Sequence, residues 1–191
     1  VVDGSEGISL IGMGSQNGQD KAESGEYKTD PHVWLSLNNA KIMVRNLLKG
    51  MKNVDPNNAS YYERNAESYL DNLNELDREI SEGLSSYRNR GFIIYHPGFG
   101  YFAHDYDLEQ IPVEKSGKEP GPQRIQYIIE KAREENIKTV FVSPQFDKSQ
   151  VEVIVDEIDG EIKVLNPLPE KYYVNMQEVY QKIKNSFESS G

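Results

Sequence analysis

Between Tyr62 and Tyr87 the chain repeats one signal: Tyr62, Ala66, Tyr69, Leu73, Leu76, Ile80, Leu84 and Tyr87 follow at steps of 4, 3, 4, 3, 4, 4 and 3. Such spacing puts every one of them on one face of an α-helix about seven turns long. The residues between are, apart from Leu70 and Gly83, Glu, Asp, Arg, Asn and Ser, so the helix packs on one side and meets water on the other. It is too long for an ordinary crossover between strands and reads as a rigid strut. Whatever the chain folds into is built around that rod.

The neighbouring segments fit around it. Met43, Val44, Leu47, Leu48 and Met51 form a shorter helical pattern, and Asp55-Pro56 ends it and opens the strut. After Arg90-Gly91 the period changes. Phe92–Tyr95, Leu108–Val113, Thr139–Ser143 and Glu161–Leu165 are short strand candidates. Helical segments fall between and after them: Phe99 to His104, 122–135, 147–158, and a final helix carrying Val174, Val179, Ile183 and Phe187. Alternation of this kind predicts an α/β fold, a mostly parallel four-stranded sheet flanked by helices and preceded by the long connecting helix. Ligands of such sheets sit beyond the carboxyl ends of the strands. His96, Ser143 and Asn166 each lie just past one.

Charge narrows the function. The net charge of −10 and the lack of a basic stripe argue against nucleic acid and against an anionic membrane surface, and favour a cationic ligand. There is no cysteine, hence no disulfide framework and no thiolate site. No apolar run reaches membrane-spanning length. The chain opens on Val1-Val2-Asp3, which reads as a mature or truncated product. Residues 12–30 have linker composition, and Gly12-Met13-Gly14 followed by Gly18 is a poor dinucleotide fingerprint. No GxSxG elbow, phosphate-binding loop or HExxH motif is present. A hydrolase using His96 as base would lack a visible nucleophile, so no catalytic residue is assigned. His104 ends a helix beside Asp105, where a cation is ordinary stabilisation. That leaves His32, in "TDPHVW", and His96, in "YHPGFGYF". Two histidines 64 residues apart suggest a borderline divalent metal such as zinc, held at a site the fold assembles.

The segment from "DPHVWLSL" at Asp30 to Ile80, then "YHPGFGYFAHDYDLEQIPV", "GKEPGPQRIQYIIEKAREENIKTVFVSPQF" and "KVLNPL", resembles in order and spacing the zinc/manganese substrate-binding proteins of ABC transporters, the cluster A-I group. The likeness covers about residues 29–185. It implies two α/β lobes joined by one long helix, with a divalent ion bound between them outside the membrane and delivered to an ABC transporter permease, without turnover of a substrate. It also implies that His32 and His96 are metal ligands and that Asn166 stands where the family usually has an Asp ligand. The implied ion is Zn²⁺, with Mn²⁺ as the alternative, because manganese-preferring members often carry Glu at the position of His96.

On this likeness the chain corresponds to the second lobe plus the connecting helix, with the first lobe missing. Residues 1–30 are then a polar linker or remnant of the first lobe, 31–90 the interlobe helices and 91–191 the carboxyl-terminal α/β lobe. Apolar surface left on the long helix and near Trp34 would favour a homo-oligomer. The alternative function is an α/β module with a degenerate metal site that acts through protein–protein contact.

Overall fold

The computed structural model describes residues 1–13, 29–114 and 117–189. Residues 14–18 of the Gly12–Gly18 fingerprint and most of the polar 12–30 segment lie outside these residues. The element order is α1 (Leu37–Val54), α2 (Ala59–Leu84), β1 (Gly91–Ile94), α3 (Gly100–Asp105), β2 (Glu109–Pro112), α4 (Pro122–Glu134), β3 (Thr139–Val142), α5 (Ser149–Glu157), β4 (Glu161–Val164) and α6 (Tyr172–Glu188). A single 3₁₀ turn, Val33–Leu35, precedes α1. The four strands form one parallel sheet in the order β2-β1-β3-β4. From β1 the chain moves to one side and from β3 to the other. The reversal leaves a crevice beyond the carboxyl ends of β1 and β3.

Alternation along the strands divides the interior. Phe92, Ile94 and Phe141 face a core that includes Leu35, Leu73, Leu76, Ile80, Leu84, Phe102, Met176 and Ile183. Ile93, Ile111, Val140 and Val142 face the other side, where α4 and α5 supply Ile128, Ile129, Val151 and Ile154. The strut of the sequence reading is therefore α2. Its second half packs on the sheet, and its first half, with Tyr62, Ala66 and Tyr69 only partly covered, runs past the sheet.

Three expectations of packing shift. In α1, Leu47 and Met51 are exposed, because the apolar stripe of that helix continues past the end of the core. In α6, Val174 is exposed and Met176 and Tyr180 fill the core beside Val179, Ile183 and Phe187. On α2 the one large exposed apolar side chain among the described residues is Tyr61, and Trp34 is half-buried. The uncovered apolar surface therefore lies more on the carboxyl-terminal half of α1 (Leu47, Met51, Val54) than on the strut.

A polar layer ties the first helices to the sheet domain. Ser36 caps α1 by accepting from the Asn39 backbone N–H, and its hydroxyl donates to Asp105 at 2.5 Å. Tyr106 donates to Asp77 at 2.8 Å, and Lys41 pairs with the other oxygen of Asp77 at 2.9 Å. Burial, reinforced by the charge of Asp77 and the hydrogen bond to it, pushes the Tyr106 hydroxyl far above the usual tyrosine range. Burial does the same to Tyr172, reinforced by the nearby Tyr69, Asp105 and Asp77.

Two measurements check this packing. Leu76→Ala is expected to cost about 2–5 kcal/mol in urea unfolding, whereas Leu47→Ala should stay within about 0.5 kcal/mol. Below about pH 10 a raised tyrosine is protonated in both states and contributes nothing; above it the unfolded chain ionises and the folded chain does not, so stability falls as pH rises. In an alkaline absorbance titration at least Tyr106 and Tyr172, of the 12 tyrosines, should ionise only as the fold is lost. Ionisation of all of them in folded protein would contradict the burial described.

Candidate metal centre

His32 and His96 meet. Their Nε2 atoms are 3.4 Å apart and the rings stand nearly perpendicular, at 75°. Both come from short turns at the crevice between β1 and β3. His96 lies two residues beyond β1, where Pro97 and Gly98 turn the chain into α3. His32 precedes the 3₁₀ turn that leads into α1.

Each imidazole is oriented by a buried carboxylate. His32 Nδ1 is 2.7 Å from Asp30 Oδ1, which also accepts the backbone N–H of His32. His96 Nδ1 is 2.7 Å from Glu114 Oε1. Asp30 is 1% exposed and Glu114 5%. An ionised carboxylate is an acceptor only, so the neutral imidazole that fits this contact is the one with its proton on Nδ1, which leaves Nε2 available to an ion. Carboxylate-held imidazoles of this kind are the usual support of metal-ligating histidines.

The backbone explains why these partners are in place. Register pairs Ile94 with Pro112; carried on two residues, it sets Glu114 beside His96, and the Glu114 N–H donates to Tyr95 O at 3.1 Å. Asp30 is gripped on both sides: its N–H donates to Ile11 O at 2.9 Å, and its carbonyl accepts from the Tyr101 hydroxyl at 3.1 Å. Gly100 permits this approach, since a Cβ there would lie 2.6 Å from Asp30 Oδ2. That second oxygen of Asp30 is buried without a hydrogen-bond partner among the described residues.

Aromatic rings close the sides. Phe146 stacks on His96 at 5.4 Å between centroids, and Trp34 meets His32 edge-on at 5.5 Å. Gly98 lies against both rings: a Cβ there would sit 3.7 Å from His32 and from His96, at ordinary contact distance.

The remaining candidates sit differently. Asn166 follows β4 in a loop where its Oδ1 accepts the Leu168 N–H at 3.0 Å. The loop is linked to His32's turn through Trp34, whose Nε1–H donates to Pro167 O at 2.7 Å. Ser143, given no role from sequence, is buried just past β3. His104 is exposed at the end of α3, 3.6 Å from Asp105. Among the described residues no group of three or more His, Cys, Asp or Glu side chains is arranged to hold a metal ion.

The two carboxylates escaped the sequence reading. Asp30, before Pro31, reads from sequence as turn chemistry, and Glu114 falls just past the strand candidate Leu108–Val113 with no role assigned. The strand-end rule that singled out His96 applies equally to Glu114.

The geometry suits a tetrahedral ion. Two nitrogens each roughly 2.0–2.1 Å from zinc, at the tetrahedral angle, stand about 3.3 Å apart, close to the observed 3.4 Å.

Comparison with known proteins bears on the same point. The family described as zinc-uptake complex component A, periplasmic (ZnuA), matches residues 1–186. The high-affinity zinc uptake system protein ZnuA of Brucella abortus (strain 2308) is 35% identical over 147 residues, 75% of this chain and 43% of that protein. A crystal structure of ZnuA superimposes with a TM-score of 0.88 at 35% identity, covering 97% of this chain and 69% of that one. A ZnuA deletion mutant with zinc bound gives a TM-score of 0.85 at 34% identity, covering 97% and 68%. The match spans less than half the length of the curated relative. No helix among the described residues is long and apolar enough to cross a membrane. The chain belongs to the ZnuA family of periplasmic zinc-uptake components, a family of transport proteins and not of enzymes.

Proposed function

We propose that this chain captures zinc outside the cytoplasmic membrane for delivery to the permease of an ABC importer, and that His32 and His96 are its ligands here. The observation that carries the reading is the pair of Nε2 atoms 3.4 Å apart, each on a ring whose Nδ1 is committed to a buried carboxylate. Neutral imidazole suits zinc well, and manganese, which prefers oxygen, is the alternative cargo. Residues 31–90 act as the interlobe helices and carry His32, 91–191 as the carboxyl-terminal α/β lobe that carries His96, and 1–30 as a polar linker or remnant of the first lobe.

Two imidazoles leave coordination positions open. Water, or a group from outside the described residues, fills them. Asn166 offers only a neutral amide oxygen, already engaged by Leu168, and adds little as a direct ligand. The exposed apolar residues of α1 provide a surface through which copies of the chain alone would associate.

Calorimetric titration of zinc tests the proposal. The chain should give a one-site isotherm that His96→Ala abolishes. Glu114→Gln, which keeps the ring but weakens its partner, should cost about 10–100-fold in affinity. An isotherm unchanged in His96→Ala would overturn the site. Absence of zinc and manganese binding in the unaltered chain would favour the interaction-module reading instead. In sedimentation velocity, Leu47→Glu should shift any dimer towards monomer; no shift would place the contact elsewhere.

A further inference from the structure

The turn that carries His32 is fastened across the fold by Trp34, the chain's one tryptophan. Its indole N–H donates to the Pro167 carbonyl at 2.7 Å, a bond between residues 133 apart in sequence. Its own carbonyl accepts from the Tyr172 hydroxyl at 2.8 Å, and the neighbouring Val33 carbonyl accepts from Asn39 Nδ2 at 3.1 Å. The indole ring meets His32 edge-on. The turn bearing His32 is therefore tied to the Pro167 carbonyl through the indole, in addition to the hold of Asp30 on His32 itself.

What orients that carbonyl is Asn166. Its Oδ1 accepts the Leu168 N–H at 3.0 Å, a side-chain-closed turn that encloses Pro167. Its backbone carbonyl accepts from Asn175 Nδ2 at 2.9 Å, and Asn175 is buried on the first turn of α6. Pro167 thus sits in a loop pinned on both sides, and its fixed φ removes further freedom. The side-chain oxygen of Asn166 is engaged within its own loop.

We infer that Asn166 is a positioning residue that acts through Trp34: it holds the Pro167 carbonyl, the carbonyl holds the indole, and the indole holds the His32 ring beside His96. The zinc readout below rests on the metal reading proposed above; the spectroscopic readout does not. An amide that ligated the ion would act on affinity directly. An amide that positions acts only while the indole bond exists, and the two roles are separable because Asp in place of Asn also closes this type of turn.

The experiment uses the 191-residue chain with Asn166→Ala, Asn166→Asp, Trp34→Phe and the Asn166→Ala/Trp34→Phe double variant. A single tryptophan gives a single indole N–H resonance. Loss of the turn in Asn166→Ala should speed indole hydrogen exchange roughly five- to tenfold, the worth of one hydrogen bond, and shift the His32 ring resonances. Asn166→Asp should restore both. In zinc titrations Asn166→Ala and Trp34→Phe should each weaken binding about tenfold, and the double variant should lose no more than the larger single loss.

Unchanged indole exchange in Asn166→Ala, or additive losses in the double variant, would overturn the inference. If the chain binds no zinc, the indole and His32 signals decide alone. Movement of both, rescued by Asp, sustains the positioning role while the metal reading falls; stillness of either defeats it.

Discussion

Burying a carboxylate is costly unless its oxygens are bonded, and Asp30 and Glu114 are both buried at the rim of the same crevice. Each offsets that cost by accepting from an imidazole Nδ1. The consequence reaches beyond stability. With each Nδ1 against its carboxylate, the two Nε2 atoms face one another 3.4 Å apart. Several contacts bring those two rings together. The register of β1 with β2 sets Glu114 beside His96, and the bonds from Ile11 and Tyr101 hold Asp30 under His32.

The scaffold supplies the place. A parallel sheet whose strand order reverses between β1 and β3 leaves a crevice at their carboxyl ends. The long helix α2 packs its carboxyl-terminal half on that sheet through Leu73, Leu76, Ile80 and Leu84. The polar layer of Ser36, Lys41, Asp77, Asp105 and Tyr106 then locks α1, α2 and α3 to one another. The turn bearing His32 leads directly into Ser36, the first member of that layer.

Much of this was legible in the residues. The step pattern from Tyr62 to Tyr87 names the long helix because a buried stripe must repeat with the helical period. The runs at Phe92 and Thr139 name central strands because strands covered on both faces are apolar throughout. Periodicity could not say where the core stops, so Leu47, Met51 and Val174 sit on apolar stripes yet meet water. His96 was reachable from its place past a strand, while His32 gained its meaning from likeness to a family. Asp30 and Glu114 were not found, since acidic residues abound in this chain and only the fold tells a buried partner from surface charge. The role of Asn166 lay deeper still, in a loop closed by its own side chain.

The account stands or falls on what lies between two nitrogens. Crystals of the chain grown with zinc, measured on either side of the zinc absorption edge, would locate the ion directly. The account predicts an anomalous peak between His32 and His96, about 2.0–2.1 Å from each Nε2, with Asp30 and Glu114 still on the two Nδ1 atoms. Zinc found only on surface carboxylates, with the His32–His96 gap empty at saturating metal, would contradict it.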